Sequence, residues 1–219
     1  MPDMEVRQIG AWIFRQHAPG GEGPHPLVLM LHGWTGDENA MWIFANRLPT
    51  KALLVAPRGL YSTPLGGYGW HDHKFGLWPA ITELQPAAQA LHELLVIENF
   101  PTADLQRIHL VGFSQGAALI VAFSLLYPNR VASLAVLSGF LPENIQALVL
   151  TQPLLGMPVF VTHGTRDELV PVDKARQMVA TLKEAGADVV YCEDDVGHKL
   201  SLSCFSSLEH FAAYAMSQR

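Results

Sequence analysis

Seven short apolar runs punctuate the chain: Ile9 to Phe14, Leu27 to Leu31, Ala52 to Ala56, Ile108 to Val111, Leu134 to Leu137, Val159 to Thr162 and Ala187 to Tyr191. Several are unbroken, as in strands covered on both faces of a sheet rather than on one. Between them lie stretches with three-to-four spacing. Leu84, Ala87, Ala88, Leu91, Leu94 and Leu95 form a broad stripe after Pro79, and Val172 to Gly186 turns Ala175, Met178, Val179 and Leu182 to one side. Gln115 to Tyr127 is apolar nearly all round and stops at Pro128, and Leu202 to Met216 carries Phe205, Leu208, Phe211, Ala212 and Ala215. Strands alternating with helices predict a mostly parallel, three-layer α/β domain spanning residues 1–219.

Two segments break this rhythm. Gln16 to Pro26 is rich in Gly and Pro and is expected to join an early antiparallel hairpin. Leu60 to Trp78 is a long connection bearing Tyr61, Tyr68, Trp70, Phe75 and Trp78, and connections of that length are often functional.

Composition narrows the field. With 219 residues, 49% of them hydrophobic, the chain can bury a sizeable core as a single domain. Its net charge is −6, with acidic and basic residues interspersed, which argues against nucleic acid and against a membrane-attracting patch. The N-terminal residues Met1 to Glu5 have neither a basic nor an apolar segment, and no apolar run is long enough to span a bilayer, so a soluble, cytoplasmic protein without stable membrane insertion is expected. Cys192 and Cys204 make no disulfide framework; a chain that folded back could pair them, but they are read as two reduced, partly buried thiols in a reducing compartment.

The chemistry centres on Gly112-Phe113-Ser114-Gln115-Gly116, a G-x-S-x-G pentapeptide between an expected strand and an expected helix. That context holds a serine nucleophile on a sharp turn, whose flanking glycines admit close neighbours. Without the context, Ser114 would be a plain helix cap. Asp167, in the loop after Val159 to Thr162, is the candidate acid. Glu168 competes with it, and His163 is read as structural. His198, before the last helix, is the candidate base, whereas His92 and His210 fall inside helices. Asp194 and Asp195 share a loop with His198 and are poorly placed to orient it. The order Ser, Asp, His is that of α/β-hydrolases. An oxyanion hole needs two backbone N–H groups: Gln115 supplies one, and Trp34, after His32 and Gly33, supplies the other.

No cofactor is called for. His71-Asp72-His73 is the nearest metal-like feature, but such closely spaced residues rarely converge without further ligands, and no metal site is assigned.

The sequence resembles the phospholipase/carboxylesterase group of α/β-hydrolases, which includes the acyl-protein thioesterases. The matching pieces are Leu31-His32-Gly33-Trp34-Thr35-Gly36-Asp37, Pro57-Arg58, Gly112 to Ala117, His163 to Pro171, and Gly197-His198. The resemblance implies an α/β-hydrolase core without a separate cap domain, a Ser114, Asp167, His198 triad, oxyanion donors at Trp34 and Gln115, and frequent homodimerisation. Members typically carry Trp-Phe-Asp after Pro-Arg, where this chain has Trp70-His71-Asp72, and Trp34 is larger than the Leu often found at its position. Tyr68, Trp70, His71 and Trp78 are therefore the expected substrate-pocket residues. The expected reaction is hydrolysis of a small-molecule ester of short to medium acyl chain. Acyl thioesterase, lysophospholipase, serine peptidase and lactone hydrolase are the enzymatic alternatives, and a binding protein on the same fold is the non-enzymatic one.

Overall fold

The computed structural model describes residues 4–72 and 77–218. The strands are β1 (Met4–Ile9), β2 (Trp12–His17), β3 (His25–Leu31), β4 (Leu53–Pro57), β5 (Tyr61–Ser62), β6 (Tyr68–Gly69), β7 (Ala103–Phe113), β8 (Val131–Leu137), β9 (Pro158–Gly164) and β10 (Asp188–Asp194). The helices are α1 (Ile81–Leu94), α2 (Gln115–Leu126), the single turn α3 (Gln146–Val149), α4 (Val172–Glu184) and α5 (Leu202–Ser217), with a 3-10 helix at Ala40–Arg47. Eight strands form one sheet in the order β1-β2-β4-β3-β7-β8-β9-β10, and β5 and β6 form a separate ribbon. β1 pairs antiparallel with β2 and β2 with β4, while every other pairing in the large sheet is parallel.

The apolar runs serve two cores at once. Leu27, Leu29 and Leu31 of β3 point into the layer that holds α1, α2 and α4. Val28 and Met30 point the other way, toward Met41, Phe44 and the α5 residues Leu208 and Phe211. A parallel sheet buried on both faces requires this continuous hydrophobicity. The same environment explains α2, whose residues 115–125 are all buried. The result is a three-layer α/β sandwich, without a distinct cap domain among the described residues.

Three expectations need correcting. The run Ile9 to Phe14 is two strands, because Gly10 adopts φ 57° and turns the chain between β1 and β2. The early hairpin therefore closes at Gly10, and residues 18–24 instead link β2 to β3, which are not neighbours in the sheet. The cysteines are not free thiols: Cys192 of β10 and Cys204 of α5 form a disulfide with Cα atoms 5.8 Å apart. Twelve positions separate them in sequence, but α5 packs back on the sheet beside β10 and brings them within bonding reach.

The sheet also fixes where chemistry can occur. Chain order reverses between β3 and β7, whose neighbours lie on opposite sides, and Leu31 is paired with Gly112 at their carboxyl ends. Ligands of open α/β sheets bind at such a switch point. Among the described residues, no helix is long and apolar enough to cross a membrane.

Candidate active site

Ser114 leaves β7 at φ 54° and ψ −116°, a strained conformation for a residue with a side chain, and α2 starts immediately after it. Its N–H donates to the Leu137 carbonyl of β8 at 2.9 Å. The flanking glycines are required by contact: a Cβ at Gly112 would meet the Gly116 carbonyl oxygen at 2.5 Å, and one at Gly116 would run into the carbonyl of Leu31. The elbow thus works because strand and helix approach backbone to backbone.

Asp167 and His198 come together. His198 Nδ1 donates to Asp167 Oδ2 at 2.6 Å, and the Asp167 carboxylate is fully enclosed. Its Oδ1 accepts the N–H groups of Leu169 and Val170 at 3.0 and 2.9 Å, so a buried charge is matched by three donors. His163 helps to fix the loop, donating from Nε2 to the Val170 carbonyl at 2.7 Å with Asp167 Oδ2 at 3.3 Å, which fits its structural reading. Glu168 is exposed. Asp194 accepts from Ser203, and Asp195 pairs with Arg166, so neither contacts the imidazole. The ring of Phe113, next to Ser114, lies 4.9 Å from that of His198 and brings base and elbow to one place.

The loop after β3 is braced from behind. The Gly59 N–H donates to His32 Nε2 at 2.9 Å, which makes Nε2 the acceptor and leaves Nδ1–H to donate to the Gly33 carbonyl at 2.6 Å. Burial holds the His32 imidazole below its ordinary pKa, in keeping with this neutral form. Arg58 grips the buried Glu38 with two bonds of 2.7 and 2.8 Å, and those bonds keep the Glu38 carboxyl below the usual carboxylate range. The Tyr68 N–H then donates to the Gly36 carbonyl at 2.8 Å, tying the β5–β6 ribbon to the same loop. Sequence reading missed these roles of His32, Glu38 and Arg58. The Pro57-Arg58 pair was visible, but its partner is twenty residues away.

The expected pocket residues separate. Trp70 is fully buried, its indole N–H donating to the His32 carbonyl at 2.7 Å and its backbone N–H to Gln115 Oε1 at 2.9 Å. It therefore braces the His32 and Gln115 segments from within rather than facing the cavity beside Trp34, because its N–H finds a buried carbonyl that no local pattern reveals. Tyr68 lies under the Arg58 guanidinium, 4.6 Å from ring centre to cation. Trp78 packs on Phe140 and borders a different depression with Glu143 and Lys174. His71 alone of the four faces a cavity beside Trp34, a compartment of about 300 Å³ formed with residues 60–64 and Asp72. Of the metal-like triplet, His73 lies outside the described residues, as do Lys74, Phe75 and Gly76. Among the described residues, no three His, Cys, Asp or Glu side chains gather as metal ligands.

Comparison with known proteins identifies the family. The phospholipase/carboxylesterase family profile matches residues 18–216. A "probable inactive carboxylesterase" of Oryza sativa subsp. japonica is 34% identical over 194 residues, covering 80% of this chain and 78% of its own. A "probable carboxylesterase SOBER1-like" of Arabidopsis thaliana is 29% identical over 227 residues, covering 98% and 81%. Among solved structures, a carboxylesterase from Mesorhizobium loti superposes with a TM-score of 0.81 at 21% identity, over 96% of this chain and 98% of that one. The fold, the elbow and the family profile converge, and the chain belongs to the phospholipase/carboxylesterase family of α/β-hydrolases.

Proposed function

We propose that this protein hydrolyses carboxylic esters of short to medium acyl chain through an acyl-enzyme, with Ser114 as nucleophile, His198 as base and Asp167 as the carboxylate that orients it. The observation that carries the reading is the 2.6 Å Asp167–His198 bond beside a serine held in a strained elbow. Ser114 Oγ attacks the carbonyl carbon while His198 takes its proton. The tetrahedral oxyanion accepts from the N–H groups of Trp34 and Gln115, the latter at the positive end of α2. His198 returns the proton to the departing alcohol, and water activated by the same imidazole clears the acyl group. The enclosed Asp167 carboxylate favours the imidazolium that forms in both steps.

The acyl preference is supported by the compartment beside His71. At about 300 Å³ it lies at the small end of ligand pockets, and Trp34 stands at its edge. A thioester differs only in the leaving atom, so thioesterase activity belongs to the same reading. The test is a rate profile over p-nitrophenyl esters of graded acyl length, with a thioester of matched acyl group alongside. Turnover is expected to peak at short or medium chains, and a steady rise into long lipidic acyl groups would contradict the preference.

A further inference from the structure

Trp34 also lines a second cavity, absent from the sequence reading. It is a groove of about 500 Å³ lined by Trp34, Ile43, Phe44, Phe113, Leu200 and Phe205, together with His198. The two cavities have only Trp34 in common among their described lining residues. Their chemistry differs. The compartment beside His71 carries Ser62, Thr63 and Asp72, whereas the groove is overwhelmingly apolar, with Lys199 its one charged side chain. Its lining is anchored by packing: Phe44 stacks on Phe205 at 5.5 Å, and Met41 and Phe44 are buried in the core with α5 residues.

We propose that this groove binds an apolar leaving group, the alcohol or thiol portion of the substrate, while the acyl group occupies the smaller compartment that shares Trp34. The inference rests on the catalytic reading above. In that chemistry the bond from Ser114 Oγ to the carbonyl carbon forms as the bond to the leaving oxygen or sulfur breaks. The leaving atom takes the proton from His198 and departs as a neutral alcohol or thiol, so it must lie within hydrogen-bond reach of the imidazole. His198 belongs to the groove lining and not to that of the other compartment. A carbonyl oxygen held at Trp34 and Gln115 therefore has the leaving side facing the groove and the acyl side facing His71. Ile43 of the 3-10 helix and Phe205 of α5 become determinants of specificity for this portion.

The test compares kcat/KM for two matched series, acetate esters of straight-chain alcohols from ethanol to octanol and ethyl esters of the corresponding acids. The alcohol series is expected to gain up to roughly fourfold per added methylene until the groove is filled, while the acyl series levels off early. Ile43 is 69% exposed, so Ile43→Glu places a charge in the wall without disturbing the core. That variant is expected to flatten the alcohol slope and keep the acyl slope. Equal slopes in both wild-type series, or an acyl slope that Ile43→Glu flattens instead, overturns the proposal. Fluorophosphonate labelling of each protein separates the two levels of the argument. A labelled Ser114 with a flat alcohol series refutes the groove assignment alone, whereas an unlabelled wild-type serine refutes the catalytic reading and this inference with it.

Discussion

The disulfide gives a prediction whose size follows from connectivity. Cys192 and Cys204 lie twelve positions apart and bracket His198, so the bond closes the loop that carries the candidate base. Closing a loop of that length removes about 9.5 cal/mol/K from the unfolded chain, or about 3 kcal/mol at room temperature. A chain of 219 residues unfolds with an entropy of about 0.46 kcal/mol/K near its midpoint, so losing the bond should lower the melting temperature by about 6 °C. The loop has other anchors. Thr165 N–H donates to the Asp194 carbonyl at 2.8 Å, Arg166 N–H to that of Val196 at 3.0 Å, and His198 to Asp167. Turnover at room temperature should therefore survive reduction, while thermal inactivation moves to lower temperature. Since no other cysteine exists, calorimetry with and without dithiothreitol reads this bond alone, and Cys192→Ser/Cys204→Ser should reproduce the reduced protein. Two thiols alkylated in protein purified without reductant, or a melting temperature indifferent to reduction, would refute the reasoning.

Two further outcomes are expected. Burial, with a smaller contribution from Arg107, pushes the His109 imidazole down to about 4, against an opposing pull from Asp104. Because the folded value is depressed, the unfolded chain takes up the proton first as pH falls. Stability present above about pH 6.5 is thus lost toward pH 4, by about 3 kcal/mol from this group. Urea melts across that range should show a shallower acid loss for His109→Gln, and an unchanged slope would count against the assignment. Asp167→Asn keeps the shape of the buried side chain but removes the charge that fixes the His198 tautomer, so turnover should drop by roughly four orders of magnitude with an unchanged circular dichroism spectrum. A loss under tenfold would show that His198 does not depend on this carboxylate.

The parts of the site that lie within one segment were legible in the sequence. The elbow could be read because strand, glycines, serine and helix are contiguous, and the structure supplies the physical reason in the contacts that a Cβ at Gly112 or Gly116 would make. Asp167 and His198 could be placed because each follows a strand of a parallel sheet, whose carboxyl ends gather on one edge. What escaped depends on partners distant in the chain. Trp70 reads as a loop aromatic, yet its burial follows from a bond to His32, thirty-eight positions away. The Cys192–Cys204 bond required knowing that α5 returns to β10, and the groove draws its walls from residues 33–44, Phe113 and residues 198–205. The polar beginning of β7, from Ala103 to Arg107, lacks the hydrophobicity that marked its centre.

The central claim, that Ser114 is an activated nucleophile, is tested most directly by treating wild type and Ser114→Ala with a fluorophosphonate and mapping the adduct by peptide mass spectrometry. The account predicts a single adduct on Ser114 in the wild type, none in the variant, and loss of p-nitrophenyl ester hydrolysis in parallel. An adduct on another residue, or wild-type turnover by Ser114→Ala, would contradict it.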